Sequence, residues 1–564
     1  MTAIDVPSEE SGVGPPRWVA ASLDVKEGRD PLGFQTTTID RLMPRLLPGI
    51  LENSDRARYF SFHAFLLDLY RAQRRPANSG ALSDYIRARE WEYGLAVMVC
   101  PHECGSSPVG AIKLRSVVRR QDPPYPRGES VETAFGGFGL YYRSPMAVMG
   151  VVARAGTMLG DAPIAIDLLR DNDRARHLAQ TFREAIADTA YFNTWMHRSD
   201  PLPLDVLVEY ANVACLCQLN QHEDERAAVY DAMFESDLDS DAAEREESEE
   251  AEGLPGGLDY LADGDVTPLA VPVVQRRRSV AHYLTLVDTT PAIVESASTF
   301  RDALWSPRVR SDEHAIVAGQ WAGLIAKDIW QEALCSIWSE FCRTGLAATW
   351  GHDGEGLSWD ETQALARSLV TGPPTLDPDA TTRGLIDSIS SGLVSIGNVV
   401  VGDIDATSLE MLRTSTVAAD TAASGLVVLL ELHRRAHQRE DAGWLQATAM
   451  RSVWQPSVAD AFLAITQHLD CDPTVGDTLW WLVHSFVLSV HERIAYSKLP
   501  EHTFRFRWED GRVRFYDNGI GRFRLAATRS ETLATLTWDL GFWKRGESAS
   551  LTPLGTAFIN EVFP

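Results

Sequence analysis

Hydrophobic positions recur at three- and four-residue spacing along most of the chain, and this period predicts helices. Tyr59, Phe62, Leu66 and Leu69 form one such stripe, with Ser54 as the expected N-cap and Asp55 beside the positive helix end. From Tyr283 to about Gln467 the helical period dominates, amphipathic around Trp321 to Cys342 and strongly apolar from Leu426 to Leu432. Thr478 to Val490 is nearly uncharged and carries Trp480 and Trp481. It is shorter than the roughly 20 residues that span a bilayer, so it predicts a buried helix continuing to Ala495. No repeat of fixed period runs through the chain, which argues against a solenoid.

Near the C-terminus the period changes to two. Phe504, Phe506 and Trp508 alternate with Arg505 and Arg507, and Val513 and Phe515 alternate with Arg512 and Arg514, on either side of Glu509-Asp510-Gly511. That pattern predicts a β-hairpin with one packed and one basic face. A helix near Thr532 to Leu540 and the closing Leu551-Thr552-Pro553-Leu554-Gly555 complete an expected winged-helix-like module. Between Leu82 and Ala185 helix and strand signals mix around Phe135-Gly136-Gly137-Phe138-Gly139. Aromatics and Ser144-Pro145 follow these glycines, so a tight structural turn is expected in preference to a phosphate cradle.

The fold class expected is mainly α and multidomain, with small α+β or winged-helix-like modules toward both ends. The divisions are a flexible arm over 1–28, a helical and α+β region over 29–185, and a helical segment over 186–234. An acidic linker over 235–265, a helical domain over 266–470 and the C-terminal module over 471–564 follow. The linker rests on ten acidic residues between Glu235 and Glu252 against the single Arg245, with Gly253, Pro255, Gly256 and Gly257 beyond.

Charge narrows the choice of partners. A formal net charge of -26 opposes attraction of the whole molecule to nucleic acid or an anionic membrane, so such a contact needs a local basic patch. Arg505, Arg507, Arg512 and Arg514 on the hairpin and the run Arg276-Arg277-Arg278 are the nucleic-acid-binding candidates, and Lys113, Arg115, Arg119 and Arg120 form another basic cluster. Against this, the same arginines can pair with the chain's own carboxylates. Arg56 and Arg58, off the apolar stripe of their helix, are candidate partner-binding residues, with ion pairing to a neighbouring helix as the plainer role.

Seven cysteines scattered through 564 residues do not read as a secreted disulfide framework, and the N-terminus lacks a basic-plus-apolar signal, so a cytoplasmic protein with no membrane partner is expected. Cys100, His102 and Cys104 crowd one stretch and Cys215, Cys217 and His222 another. Together they offer soft ligands for a structural zinc ion, but Cys-x-Cys is a tight spacing for double ligation, and packing of free thiols is the expectation; no cofactor is assigned. His433 and His437 share a helix face with two arginines between them, which would repel a cation. His484, His491-Glu492 and His352-Asp353 do not assemble a recognisable site. With no Walker loop, His-Glu-x-x-His or Gly-x-Ser-x-Gly, no catalytic residue is assigned.

Asp30-x-Leu32-Gly33, Leu47-Pro48-Gly49 and Arg56-Ala57-Arg58-Tyr59-Phe60 together resemble a family of uncharacterised bacterial proteins found in phage-defence gene neighbourhoods. The resemblance covers about forty residues and implies a role beside helicase or nuclease partners; it carries over no catalytic residues. The function expected is a non-catalytic recognition or assembly subunit of an antiviral defence or DNA-maintenance complex, binding DNA or protein partners such as a helicase, nuclease or ATPase. A kleisin-like scaffold of an ATPase complex is one alternative, and a metal-dependent nuclease or hydrolase with a site assembled across domains is the other.

Overall fold

Short polar side chains start many of the helices. Asn78 accepts from the Ala81 amide at the head of helix Ser79–Met98, and Asn172 accepts from Ala175 at the head of Asp173–Ile186. Ser358 with Glu361 and Ser457 with Asp460 form reciprocal capping boxes, which satisfy amides that the first turn leaves open. In this computed structural model, which describes residues 30–102, 104–159, 162–235, 272–350, 356–437, 439, 441–519 and 521–564, helix takes 62% of the described residues and strand 6%. The fold is therefore mainly α and multidomain, and its sheets are all two-stranded among the described residues. No helix among them is long and apolar enough to cross a membrane. The expected arm over 1–28, His352-Asp353 and nearly all of the acidic segment lie outside the described residues.

The chain divides into two compact units that interleave in sequence. The larger comprises Thr38–Ile325, Arg439–Met450 and Ala526–Pro564; the smaller comprises Ala326–Gln438, Arg451–Leu525 and the stretch up to Thr37. The 39-residue helix Asp312–Trp350 contributes to both. The expected C-terminal module over 471–564 is thus split between units. Physically, the hairpin Phe506–Glu509 and Arg512–Phe515 packs Phe506 and Phe515 on Trp338 and Phe341, whereas the last helix packs Phe558 on Phe234 and Phe542.

In the larger unit, helix Arg58–Ala72 packs on Asp173–Ile186 and Glu223–Phe234, with Phe62 and Phe65 against Phe182. Its start differs from the sequence expectation. Ser54 closes a turn with Leu51, and the helix begins four residues later, where the Ala57 amide donates to the Asp539 carboxylate at 3.1 Å. A carboxylate from far along the chain thus takes the place of a local cap.

In the smaller unit, the segment predicted as one helix over 478–495 is Val475–Leu482, a π-helical turn Val483–Leu488, and Ser489–Ser497. The hairpin turn follows expectation: Asp510 (φ 51°) and Gly511 (φ 75°) both take the left-handed conformation that a two-residue turn demands.

Candidate metal centre

Two helices of the larger unit end at the same place. Helix Ser79–Met98 stops just before Cys100, and Leu204–Ala214 is closed by Cys215, whose extended ψ of 147° turns the chain into the 3-10 turn Leu216–Gln221. The sulfurs of Cys100, Cys104, Cys215 and Cys217 all lie within 4.8 Å of one another. Cys100 Sγ is 3.8 Å from Cys217 Sγ, and Cys104 Sγ is 3.6 Å from Cys215 Sγ. Four sulfurs placed tetrahedrally at the usual Zn–S length of about 2.3 Å stand about 3.8 Å apart, so these separations fit a zinc-sized ion at the centre. They are far longer than the roughly 2.05 Å of a disulfide.

Gln218 Nε2 donates to Cys217 Sγ at 3.2 Å, and the amides of His102, Ser106 and Cys217, each two residues further along, favour the thiolate at Cys100, Cys104 and Cys215. Donors on sulfur stabilise thiolate, the form that binds metal. In the bare cluster, burial pushes the Cys100 thiol up to about 11 and Cys215 higher still. Burial also opposes ionisation of Cys104, but Ser106 together with the neighbouring Cys215 and Cys217 thiols outweighs it and brings that thiol down to about 7. The convergent helix C-termini place the negative ends of two dipoles at the cluster, a field that favours a cation.

The outer contacts hold the Cys215 corner still. The Val213 carbonyl accepts from His222 Nε2 at 3.0 Å, that of Ala214 from the Tyr93 hydroxyl at 2.8 Å, and that of Cys215 from Arg58 at 2.7 Å. Arg58 is fully buried and also grips Glu225 through Nε and Nη2, at 3.1 and 2.7 Å. Arg58 pairs internally with a neighbouring helix, as does Arg56, whose partner is Asp539 at 3.1 Å. His222 supports the corner through its bond to Val213 and lies outside the four-sulfur cluster, as does the exposed His102.

The predicted nucleic-acid residues are mostly turned inward. Arg505 is 1% exposed and donates to the carbonyls of Gly519 and Thr503; Arg276 is 1% exposed and donates to those of Met233 and Pro48. Neither guanidinium can reach a phosphate. Arg507 bonds the Tyr496 hydroxyl and pairs with Glu509, Arg512 reaches the Gly356 carbonyl and Glu361, Arg514 reaches Glu509 and Asp510, and Arg277 pairs with Glu235 and Glu561. Arg278 is half-buried. The glycine-rich turn likewise holds an internal group: the amides of Gly137 and Phe138 donate to the buried Glu90 carboxyl oxygens at 2.9 and 2.7 Å. His433 bonds the Thr466 hydroxyl and His491 bonds the Pro31 carbonyl, as packed histidines.

One basic cluster does face solvent. The loop containing Cys104 leads into helix Ala111–Arg120, which buries Leu114 and exposes Lys113, Arg115, Arg119 and Arg120. Val109, just before it, is tied to the core by its amide bond to the Tyr59 hydroxyl at 2.9 Å. Comparison with protein-family models, with characterised proteins and with solved structures found no match.

Proposed function

We propose that this chain is a non-catalytic recognition subunit whose larger unit is stapled by a structural zinc ion on Cys100, Cys104, Cys215 and Cys217. The surface it presents to nucleic acid is the helix Ala111–Arg120. The observation that carries the reading is a four-sulfur cluster at the root of the loop that leads into an exposed basic helix. Four protein thiolates fill a tetrahedral shell and leave no open position for water or substrate, which supports a structural over a hydrolytic role for the metal. The short N-terminal resemblance favours a cytoplasmic antiviral defence or DNA-maintenance complex, with a helicase, nuclease or ATPase as the catalytic partner.

Two measurements test this. Elemental analysis of the purified chain is expected to find about one zinc per chain, lost in the Cys104→Ser, Cys217→Ser double variant; a metal-free chain refutes the staple. Reversal of Arg115, Arg119 and Arg120 to glutamate is expected to weaken DNA binding. The salt dependence should flatten by about 0.9 in log–log slope for each phosphate contact removed. Unchanged binding and slope would assign the helix to solvent, and co-purification of an ATPase or nuclease through that helix would assign it to a protein partner.

A further inference from the structure

The smaller unit carries an aromatic pocket in which large rings are left open to solvent. Trp359, Tyr496 and Trp508 are 39%, 42% and 43% exposed. All three line one cavity of about 430 Å³, together with His484, Phe506 and Glu492. Folding has not buried these rings, and it has nevertheless fixed their orientation. Trp359 opens the helix Trp359–Ser368 behind the Ser358 capping box, and Leu357, two residues before it, is bridged to Val513 of the hairpin by amide–carbonyl bonds of 2.9 and 2.7 Å. Trp508 lies on the opposite strand of the hairpin, and its amide donates to Glu492 Oε1 at 3.0 Å. Trp359 therefore meets Trp508 at 84° with 5.5 Å between centroids, and meets His484 at 88° and 5.6 Å.

Perpendicular rings present a face from one side and an edge from the other, and the faces carry the negative part of the ring quadrupole. Glu492 is the one carboxylate of the lining, and no lysine or arginine lines the cavity. The Trp508 amide occupies one carboxylate oxygen; among the described residues the other has no hydrogen-bond partner. Aromatic faces with a single carboxylate, and no ammonium or guanidinium among the lining residues, suit a positively charged group with an apolar surface. The unit already uses this chemistry internally, since the Arg507 guanidinium sits 5.2 Å from the centroid of the Tyr496 ring.

We propose that this pocket binds an organic cation, an alkylated ammonium or a guanidinium, against the exposed rings of Trp359 and Trp508 with Glu492 as counter-charge. The site rests on neither the metal nor the basic helix, so it stands or falls separately from the function proposed above.

The test is calorimetric titration of the full chain with choline and with its uncharged carbon isostere, in which a tert-butyl group replaces trimethylammonium. The two have nearly the same shape, so the comparison isolates charge. Choline is expected to bind about tenfold more tightly, the size of a desolvated cation–π contact. Glu492→Gln is expected to remove most of that preference while leaving the isostere unchanged, and Trp359→Ala to weaken both compounds. Should Trp359→Ala unfold, Trp359→Leu, with its thermal melt checked against the parent, keeps an apolar group without the π face and is expected to lose choline selectively. Equal binding of choline and isostere, or saturation by neither choline, acetyl-trimethyllysine amide nor acetyl-arginine amide, overturns the proposal. Tighter binding of either amino-acid amide than of choline identifies the natural cation as a protein side chain, and the reverse order identifies a free small molecule.

Discussion

Arg58 shows how little a residue's chemistry reveals of its use until its neighbours are known. In the sequence it is a cation beside an aromatic run; in the fold it is a fully buried strut joining Glu225 to the carbonyl of Cys215. Removing one member of a buried, hydrogen-bonded ion pair strands the other charge, so Arg58→Met is expected to cost about 3–5 kcal/mol in urea unfolding. Arg58→Met with Glu225→Met removes both charges and should regain much of that stability. It cannot restore the bond to the Cys215 carbonyl, so release of the proposed zinc ion to a chelator should remain faster than in the parent even where stability recovers. Equal release rates in parent and double variant would show that Arg58 has no part in holding the cysteine corner. The cysteines themselves were visible in the sequence as two crowded stretches. Tight Cys-x-Cys spacing spoke against double ligation, yet the helix ends at Cys215 with extended backbone, and the sulfur of Cys217 falls within the four-sulfur cluster. Their convergence was not legible, because it depends on the packing of helices Ser79–Met98 and Leu204–Ala214, which are distant in sequence.

Helices were the most legible feature, because a three- to four-residue period survives any tertiary arrangement. Their ends were less so. Ser54 has the chemistry of a cap, yet the Arg58–Ala72 helix takes its cap from Asp539, a partner no local pattern can indicate. The hairpin was read correctly because Asp510-Gly511 has the backbone freedom its turn requires. Of its four arginines, Arg505 is turned inward because it finds backbone carbonyls within the fold. Close helix contact is equally hidden. Gly425, in helix Ala422–Ala436, rests against the long helix so closely that a Cβ there would overlap the Ala333 carbonyl oxygen. In an exposed helix, Gly→Ala stabilises by roughly 0.5–1 kcal/mol. Here the helices would have to separate, and Gly425→Ala is expected to destabilise the chain by about 1–3 kcal/mol, read as a lower urea midpoint. A raised midpoint would mean that the two helices yield without loss.

The buried titratable groups together set how stability depends on pH. Burial holds His63, His282 and His491 down at about 3 and His314 and His433 at about 4, all below the ordinary 6.5. For His314 the geometry gives the same direction: Nδ1 accepts from the Arg310 amide and Nε2 meets His282 Nδ1 at 2.8 Å, so an added proton would set two donors face to face. A histidine whose folded value is depressed contributes fully above about pH 6.5, and its contribution is lost as the pH falls toward the folded value. Glu90 acts oppositely. Burial raises it from 4.5 to about 7, so its contribution is complete below about pH 4.5 and disappears as the pH rises through 7. Burial raises Asp539 to about 7 as well, so between about pH 4.5 and 6.5 five histidines oppose two carboxylates, and above that interval only the carboxylate slopes remain; stability contributed by these groups should therefore peak near pH 6.5 and fall more steeply on the acid side. His63 offers the sharpest check. It stacks on Tyr59 with neither ring nitrogen hydrogen-bonded, and its Nε2 lies 3.6 Å from Glu90. His63→Phe keeps the ring and removes both the stranded nitrogens and the titration. Urea midpoints across the pH range should show the variant at least as stable as the parent near neutrality, with a shallower acid limb. An unchanged acid limb would mean that His63 already gains a proton as readily in the folded chain as in the unfolded one, and the aromatic cluster around it would not be the dry environment that its packing implies.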